Sequence, residues 1–143
     1  MNERFFEGKG YEYHGIIHVT PRVALELCRK GALIIDVREN YHSFLHTIDV
    51  EQHFFCPASE LDTQMDLIPH DTPVIIADAA GLRSVEVVIA LKNRGFDNIA
   101  NLAGGILEWV RDDLPVIKNK KERMSGSCMC MLKYRERKPG QKG

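Results

Sequence analysis

An α/β fold, a mostly parallel sheet with helices on both faces, is what this 143-residue sequence predicts. Three observations predict it. Short apolar runs alternate with segments of helical periodicity, the signature of repeated strand–helix–strand units. "ALIIDV" (residues 32–37), but for Asp36, and "PVIIA" (73–77) are continuously apolar rather than alternating, as strands covered on both faces must be. The length suits a single domain able to bury one sizeable core.

The elements follow in order. "IIHV" (16–19) is a short β-branched run and the first of five expected strands. Thr20 then precedes Pro21, an N-cap residue followed by proline at the first helical position. Val23, Leu25, Leu27 and Cys28 give that helix its apolar positions, and Gly31 ends it. "ALIIDV" is the second strand, "HFFC" (53–56) the third, stopped by Pro57, and "PVIIA" the fourth. A helix from about Leu82 places Val85, Val88, Ile89 and Leu91 on its apolar side and ends at Gly95. "NIANL" (98–102) is the fifth strand, and "GGILEWVRDD" (104–113) a last helix halted before Pro115. Ligand sites of such sheets lie beyond the carboxyl ends of the strands, where both Asp36 and Asp78 fall.

Composition narrows the class. With 44% hydrophobic and 27% charged residues the chain reads as an ordinary soluble protein. No apolar run approaches the roughly 18 residues of a membrane span. The start, "MNERFFEGKG", lacks the apolar core of a secretion leader. Four cysteines (Cys28, Cys56, Cys128, Cys130) are too few for a disulfide scaffold, so a reduced, cytoplasmic setting is expected. Charge is uneven. From residue 118 onward nine Lys and Arg stand against two Glu, which makes that segment +7 and the remaining body −8. A basic tail (118–143) is therefore expected after a domain over residues 1–117. Its charge reads as a solvated extension. Nucleic-acid binding is disfavoured by its brevity and its single aromatic, Tyr134.

Chemistry concentrates in "DAAGLRS" (78–84), where a strand delivers Asp78 into a small-residue loop before a helix. Ala79, Ala80 and Gly81 leave room for backbone N–H groups to curl inward, and the helix start behind Leu82 adds its positive end. Arg83 and Ser84 add side-chain donors. A cysteine held there would have a lowered pKa and stand ready as a thiolate.

The loop resembles the active-site loop of the rhodanese sulfurtransferases, C-x-x-G-x-R-S. "ALIIDVRENY" is similar to that family's strand and D-V-R-E signature, and "VTPRVALELCRKGA" to its first helix. "LKNRGFDNIANLAGGILEWVRDDLPV" is similar to its closing segment. These motifs, in the family's order, cover roughly residues 15 to 117. The resemblance implies a rhodanese-like fold and transfer of sulfane sulfur through a persulfide on the loop cysteine. Two departures stand out. Asp78 occupies the place of that cysteine, and a carboxylate cannot hold sulfur as a persulfide. "IDVEQH" (48–53) stands where the family has a G-H-I-P-G-A segment, so a changed substrate-side loop is expected.

Other residues receive structural roles. Asp36 and Arg38 are expected to brace neighbouring loops by an ion pair, Gly104 and Gly105 to let the last helix approach the sheet, and Trp109 to anchor the core. Cys28 and Cys56 read as small buried hydrophobes. His42 and His46 would share a face on a helix, but no third metal ligand is signalled, and neither metal nor cofactor is called for. The tail carries "SGSCMCMLKY" (125–134), whose Cys128 and Cys130 are soft ligands or spare thiols. That apolar stretch is also suited to dock on the body or, as a homodimer, on a second copy. Two functions follow. One is a binding or regulatory module without persulfide chemistry, whose partner is a protein or a small anionic or sulfur compound. The alternative is a sulfur carrier or sulfurtransferase working through Cys128 or Cys130.

Overall fold

All five expected strands pair in parallel in the computed structural model, which describes residues 5–40 and 44–118. The chain enters through a strand the sequence reading did not include, β1 (Tyr11–Tyr13), which turns into β2 (Ile16–Val19). Helix α1 (Pro21–Arg29) follows. Thr20 caps it, its Oγ1 accepting from the N–H of Val23 at 3.5 Å, and Gly31 leaves it with φ +111°. Then come β3 (Leu33–Asp36), β4 (His46–Ile48), β5 (His53–Phe55) and the short α2 (Leu61–Gln64). The second half holds β6 (Val74–Ala77), α3 (Arg83–Lys92), β7 (Ile99–Leu102), α4 (Gly105–Arg111) and β8 (Val116–Lys118).

The main sheet has six strands in the order β1-β2-β7-β6-β3-β5, antiparallel only at β1. Its register aligns Leu33 with Val74 and Asp36 with Ala77, so β3 and β6 end level. A separate two-stranded ribbon pairs β4 with β8 antiparallel, Ile48 against Val116. His46 therefore lies on a strand rather than a helix, and His42 lies outside the described residues.

Alternation along the strands builds two cores, one on each face. Ile34, Ile75, Ala77, Ala100 and Leu102 point to the side of α1 and α4, where Leu27, Ile106 and Trp109 meet them. Ile35, Ile76, Val74 and Ile99 point to the side of α2 and α3, where Leu61, Val88 and Leu91 pack. Trp109 is fully buried and donates its indole N–H to the carbonyl of Pro115 at 2.9 Å, which ties α4 to the start of β8. On α3 the inward set is Ser84, Val87, Val88 and Leu91. Ile89, expected inward, is exposed and Val87 is buried instead. The helix starts at Arg83, and Ser84, Val87, Val88 and Leu91 then fall on one stripe at spacings of three and four.

Candidate functional site

Strand β6 is buried at every position, and its register with β3 and β7 fixes where the chain leaves it. Asp78 is the next residue, and the six that follow wrap back over its side chain. Gly81 makes the turn possible with φ +86°. A Cβ there would come within 2.9 Å of the Gly104 nitrogen and 3.0 Å of the Leu102 carbonyl. Behind the loop, the first N–H groups of α4 hold it in place: Ile106 donates to the Asp78 carbonyl at 2.9 Å and Leu107 to the Ala79 carbonyl at 3.0 Å. Gly105 is what allows this contact, since a Cβ on it would fall 2.5 Å from the Ala79 oxygen. Gly105 thus serves the approach of α4 to the loop, whereas a Cβ on Gly104, at φ +76°, would meet the Glu108 side chain of α4 itself.

The Asp78 carboxylate is 7% exposed and turned into its own loop. Oδ1 accepts from the Gly81 N–H at 2.5 Å, and Oδ2 accepts from the N–H groups of Arg83 at 2.9 Å and Ser84 at 3.3 Å. The last two are orphan donors of the first turn of α3, which an anionic oxygen suits. Ala79, Ala80, Leu82 and Arg83 are exposed around this carboxylate. The Arg83 guanidinium has no hydrogen-bond or ion-pair partner among the described residues, whereas its backbone N–H is committed to Asp78.

Further buried polar groups lie beneath the carboxylate. Asn101 of β7 donates its Nδ2 to the Gly81 carbonyl at 3.3 Å and to His18 Nδ1 at 3.1 Å, and its Oδ1 meets the Ser84 hydroxyl. Ser84 Oγ also lies 3.2 Å from Asp78 Oδ1. A carbonyl accepts only, so the Gly81 contact fixes which end of the amide is Nδ2. His18 is therefore a neutral acceptor at Nδ1. Burial lowers its pKa, and the Asn101 donor favours the same neutral form. Neither His18 nor Asn101 was singled out from the sequence. The available signal is one polar residue inside each of two otherwise apolar strands, "IIHV" (16–19) and "IANL" (99–102).

Asp36, fully buried at the end of β3, forms a bidentate pair with Arg38, with contacts of 2.8 to 3.3 Å. Arg38 spends a further donor on the His46 carbonyl at 3.0 Å, and its guanidinium lies 3.5 Å over the Phe44 ring. This pair binds the β4 ribbon to the sheet and keeps Arg38 away from the Asp78 loop. The "IDVEQH" segment lies on the opposite side from the one expected. Gln52 accepts from Ile34 at the start of β3, and Asp49 donates to Pro115, so residues 48–53 sit at the far end of the sheet from Asp78. The physical reason is the parallel register, which puts whatever enters β5 opposite to whatever leaves β6. Cys56, directly after β5, is on the loop side, but it is buried. Burial, with Glu60 and Glu39 nearby, raises its pKa, and burial pushes the Cys28 thiol up to about 12. Neither is a thiolate at neutral pH. Cys128 and Cys130 lie outside the described residues.

Residues 20–112 match the family model described as Rhodanese-like domain. The chain belongs to the rhodanese-like domain family. Among relatives, this rhodanese-like chain is 29% identical over 98 residues to the thiosulfate sulfurtransferase GlpE of Haemophilus influenzae, covering 68% of this chain and 91% of that one. It is 34% identical over 61 residues to a sulfurtransferase of Allochromatium vinosum, covering 43% and 57% of the two chains. A rhodanese-related protein from Thermoplasma volcanium superposes with a TM-score of 0.62 at 26% identity, over 75% of this chain and 98% of that one. The polysulfide-sulfur transferase homodimer of Wolinella succinogenes shares the fold at a TM-score of 0.65 and 21% identity, over 74% and 81%. No helix among the described residues is long and apolar enough to cross a membrane.

Proposed function

We propose that this rhodanese-like domain is a binding or regulatory module without persulfide sulfurtransferase activity, because Asp78 holds the position of the family's nucleophile. The observation that carries the reading is the occupied loop. Three backbone N–H groups, from Gly81, Arg83 and Ser84, already terminate on the Asp78 carboxylate. Sulfur transfer from thiosulfate requires a thiolate that displaces sulfite and keeps the outer sulfur in an S–S bond. Asp78 has no sulfur with which to form one. Its carboxylate instead fills the loop, beside an Arg83 guanidinium that has no partner among the described residues. An anionic group on a protein partner or small sulfur compound would meet Arg83 and the exposed loop tip rather than the filled cradle.

A second reading is favoured by the relatives, which carry sulfurtransferase names: a tail thiol, Cys128 or Cys130, takes the sulfur. Asp78 opposes it, since a thiolate brought beside a carboxylate is repelled. Incubation with thiosulfate or a persulfide, followed by assay of cyanide-releasable sulfur, separates the two. The proposed module releases none from the wild type. Release abolished by Cys128→Ser with Cys130→Ser would establish the tail carrier. Release that survives both changes would refute both readings.

A further inference from the structure

We propose that the protonation state of His18 sets the arrangement of the Asp78 loop, acting through Asn101 and Ser84. The four side chains form one buried line from β2, through β7 and α3, to the loop: His18 is 8% exposed, Asn101 1%, Ser84 0% and Asp78 7%. The line is one proton short. Ser84 has a single hydroxyl proton and faces two acceptors, Asn101 Oδ1 and Asp78 Oδ1. With neutral His18 accepting at Nδ1, the Asn101 amide turns Nδ2 toward it, which leaves Oδ1 competing with the carboxylate for that proton.

A proton taken up from solvent at His18 Nδ1 would face the Asn101 Nδ2 donors. Donor against donor in a buried site costs the full desolvation of both groups. Rotating the amide by half a turn removes the conflict. Oδ1 then accepts from His18 at the 3.1 Å position now held by Nδ2, and Nδ2 donates to Ser84 Oγ. Ser84 keeps its proton and donates it in a hydrogen bond to Asp78 Oδ1 alone. The only bond made is the new His18 N–H, and the His18 Nδ1–H, the Ser84 hydroxyl and one Asn101 N–H each have an acceptor. The cost falls on Gly81, whose carbonyl exchanges a donor for an amide oxygen at 3.3 Å and must move away. That carbonyl belongs to the peptide leading into Leu82, which is 77% exposed at the loop tip, so the shift reaches the surface.

The surroundings leave His18 free to act as the input. Tyr11 and Tyr13 of β1 face its ring, with centroids at 5.0 and 6.5 Å, and His14 lies beyond Tyr13. From β7 it meets neutral Asn101, and Ser84 of α3 and Asp78 follow only across that amide. No carboxylate or cation among the described residues lies within salt-bridge distance of the ring. Tyr11 is 56% exposed, so a proton reaches His18 past a single edge strand. This coupling rests on hydrogen bonds alone and not on the loop's silence in sulfur transfer, so the two can fail independently.

The test is an NMR titration of the full chain, labelled with ¹⁵N, from pH 8 to 4.5. The His18 ring nitrogens, the Asn101 side-chain amide and the backbone amides of Gly81, Leu82 and Ser84 should shift with one common midpoint. In His18→Gln the loop amides should lose that midpoint. In Asn101→Leu the ring should still titrate while the loop stays still. Should either variant fail to fold, the wild-type titration decides by itself. Loop amides that stay fixed while His18 titrates would overturn the proposal, as would loop amides that titrate unchanged in His18→Gln.

Discussion

Two buried carboxylates, both at strand ends, are stabilised in opposite ways, and the difference sets what each residue does. Asp36 leans mainly on a side-chain cation, Arg38, with one backbone N–H from the same residue, and Asp78 on three backbone N–H groups and the Ser84 hydroxyl. Removing the cation would strand Asp36 in the core, so Arg38→Met should cost roughly 3–5 kcal/mol in a urea melt. A loss below about 1 kcal/mol would show that water reaches Asp36 despite its burial. Asp78 needs no cation, so its replacement tests the loop alone. Asp78→Cys keeps every donor, and cysteine is no larger than aspartate. The new thiol should titrate below about 7.5, alkylate quickly at neutral pH and accept sulfur from thiosulfate. A thiol that titrates like free cysteine, near 8.5, would mean that the loop does not stabilise negative charge.

At the scale of elements, the loop is held between two helix starts, and one glycine sets the spacing. Gly105 has φ +65°, and its missing Cβ leaves room for the Ala79 and Asp78 carbonyls. Gly105→Ala should destabilise the fold by roughly 2–4 kcal/mol, from the left-handed backbone and the clash together. It should also speed amide exchange at Ile106 and Leu107, whose N–H groups bond the loop. Gly31 has the same freedom with nothing within 4 Å, so Gly31→Ala should cost only the conformational part, roughly 1–2 kcal/mol. Equal losses at the two positions would remove the spacing role of Gly105. These elements also show which features the sequence makes legible. The Thr20–Pro21 start, the Gly31 stop and the unbroken apolar runs of β3 and β6 are local signals, and the parallel sheet follows from them. Strands β1, β4 and β8 are three residues each, with exposed or partly exposed positions, and no periodicity marks a run so short. Ile89 lies within an apolar helix stripe by spacing, and only the position of the sheet decides that Val87 is the buried one. The Asp78 loop is contiguous and therefore visible in the sequence. His18 and Asn101 are 83 residues apart and meet only because β2 and β7 are neighbours.

At the scale of the molecule, among the described residues, the two apolar cores account for most of the buried side chains, while His18, Asn101, Ser84 and Asp78 make up most of the buried polar ones. Protein stability should therefore respond to acid through His18 in particular. Burial, assisted by the Asn101 donor, lowers its folded pKa below the unfolded value of about 6.5. The unfolded chain then binds more protons between the two values. The contribution of His18 is fully present above about pH 6.5 and is lost as pH falls through the folded pKa. The urea midpoint should accordingly be flat from pH 8 to 7 and fall as pH drops below about 6.5. His18→Gln supplies an uncharged acceptor for Asn101 and no titrating ring. Its midpoint should start somewhat lower at pH 7.5, because an imidazole fills the space beside Tyr11 better, but it should decline less steeply. The measurement that decides is the difference between the two midpoints at each pH. That difference should shrink as pH falls through the His18 titration. Parallel curves across the whole range would mean that His18 is as easily protonated in the folded chain as in the unfolded one, and that the buried amide beside it does not hold it neutral.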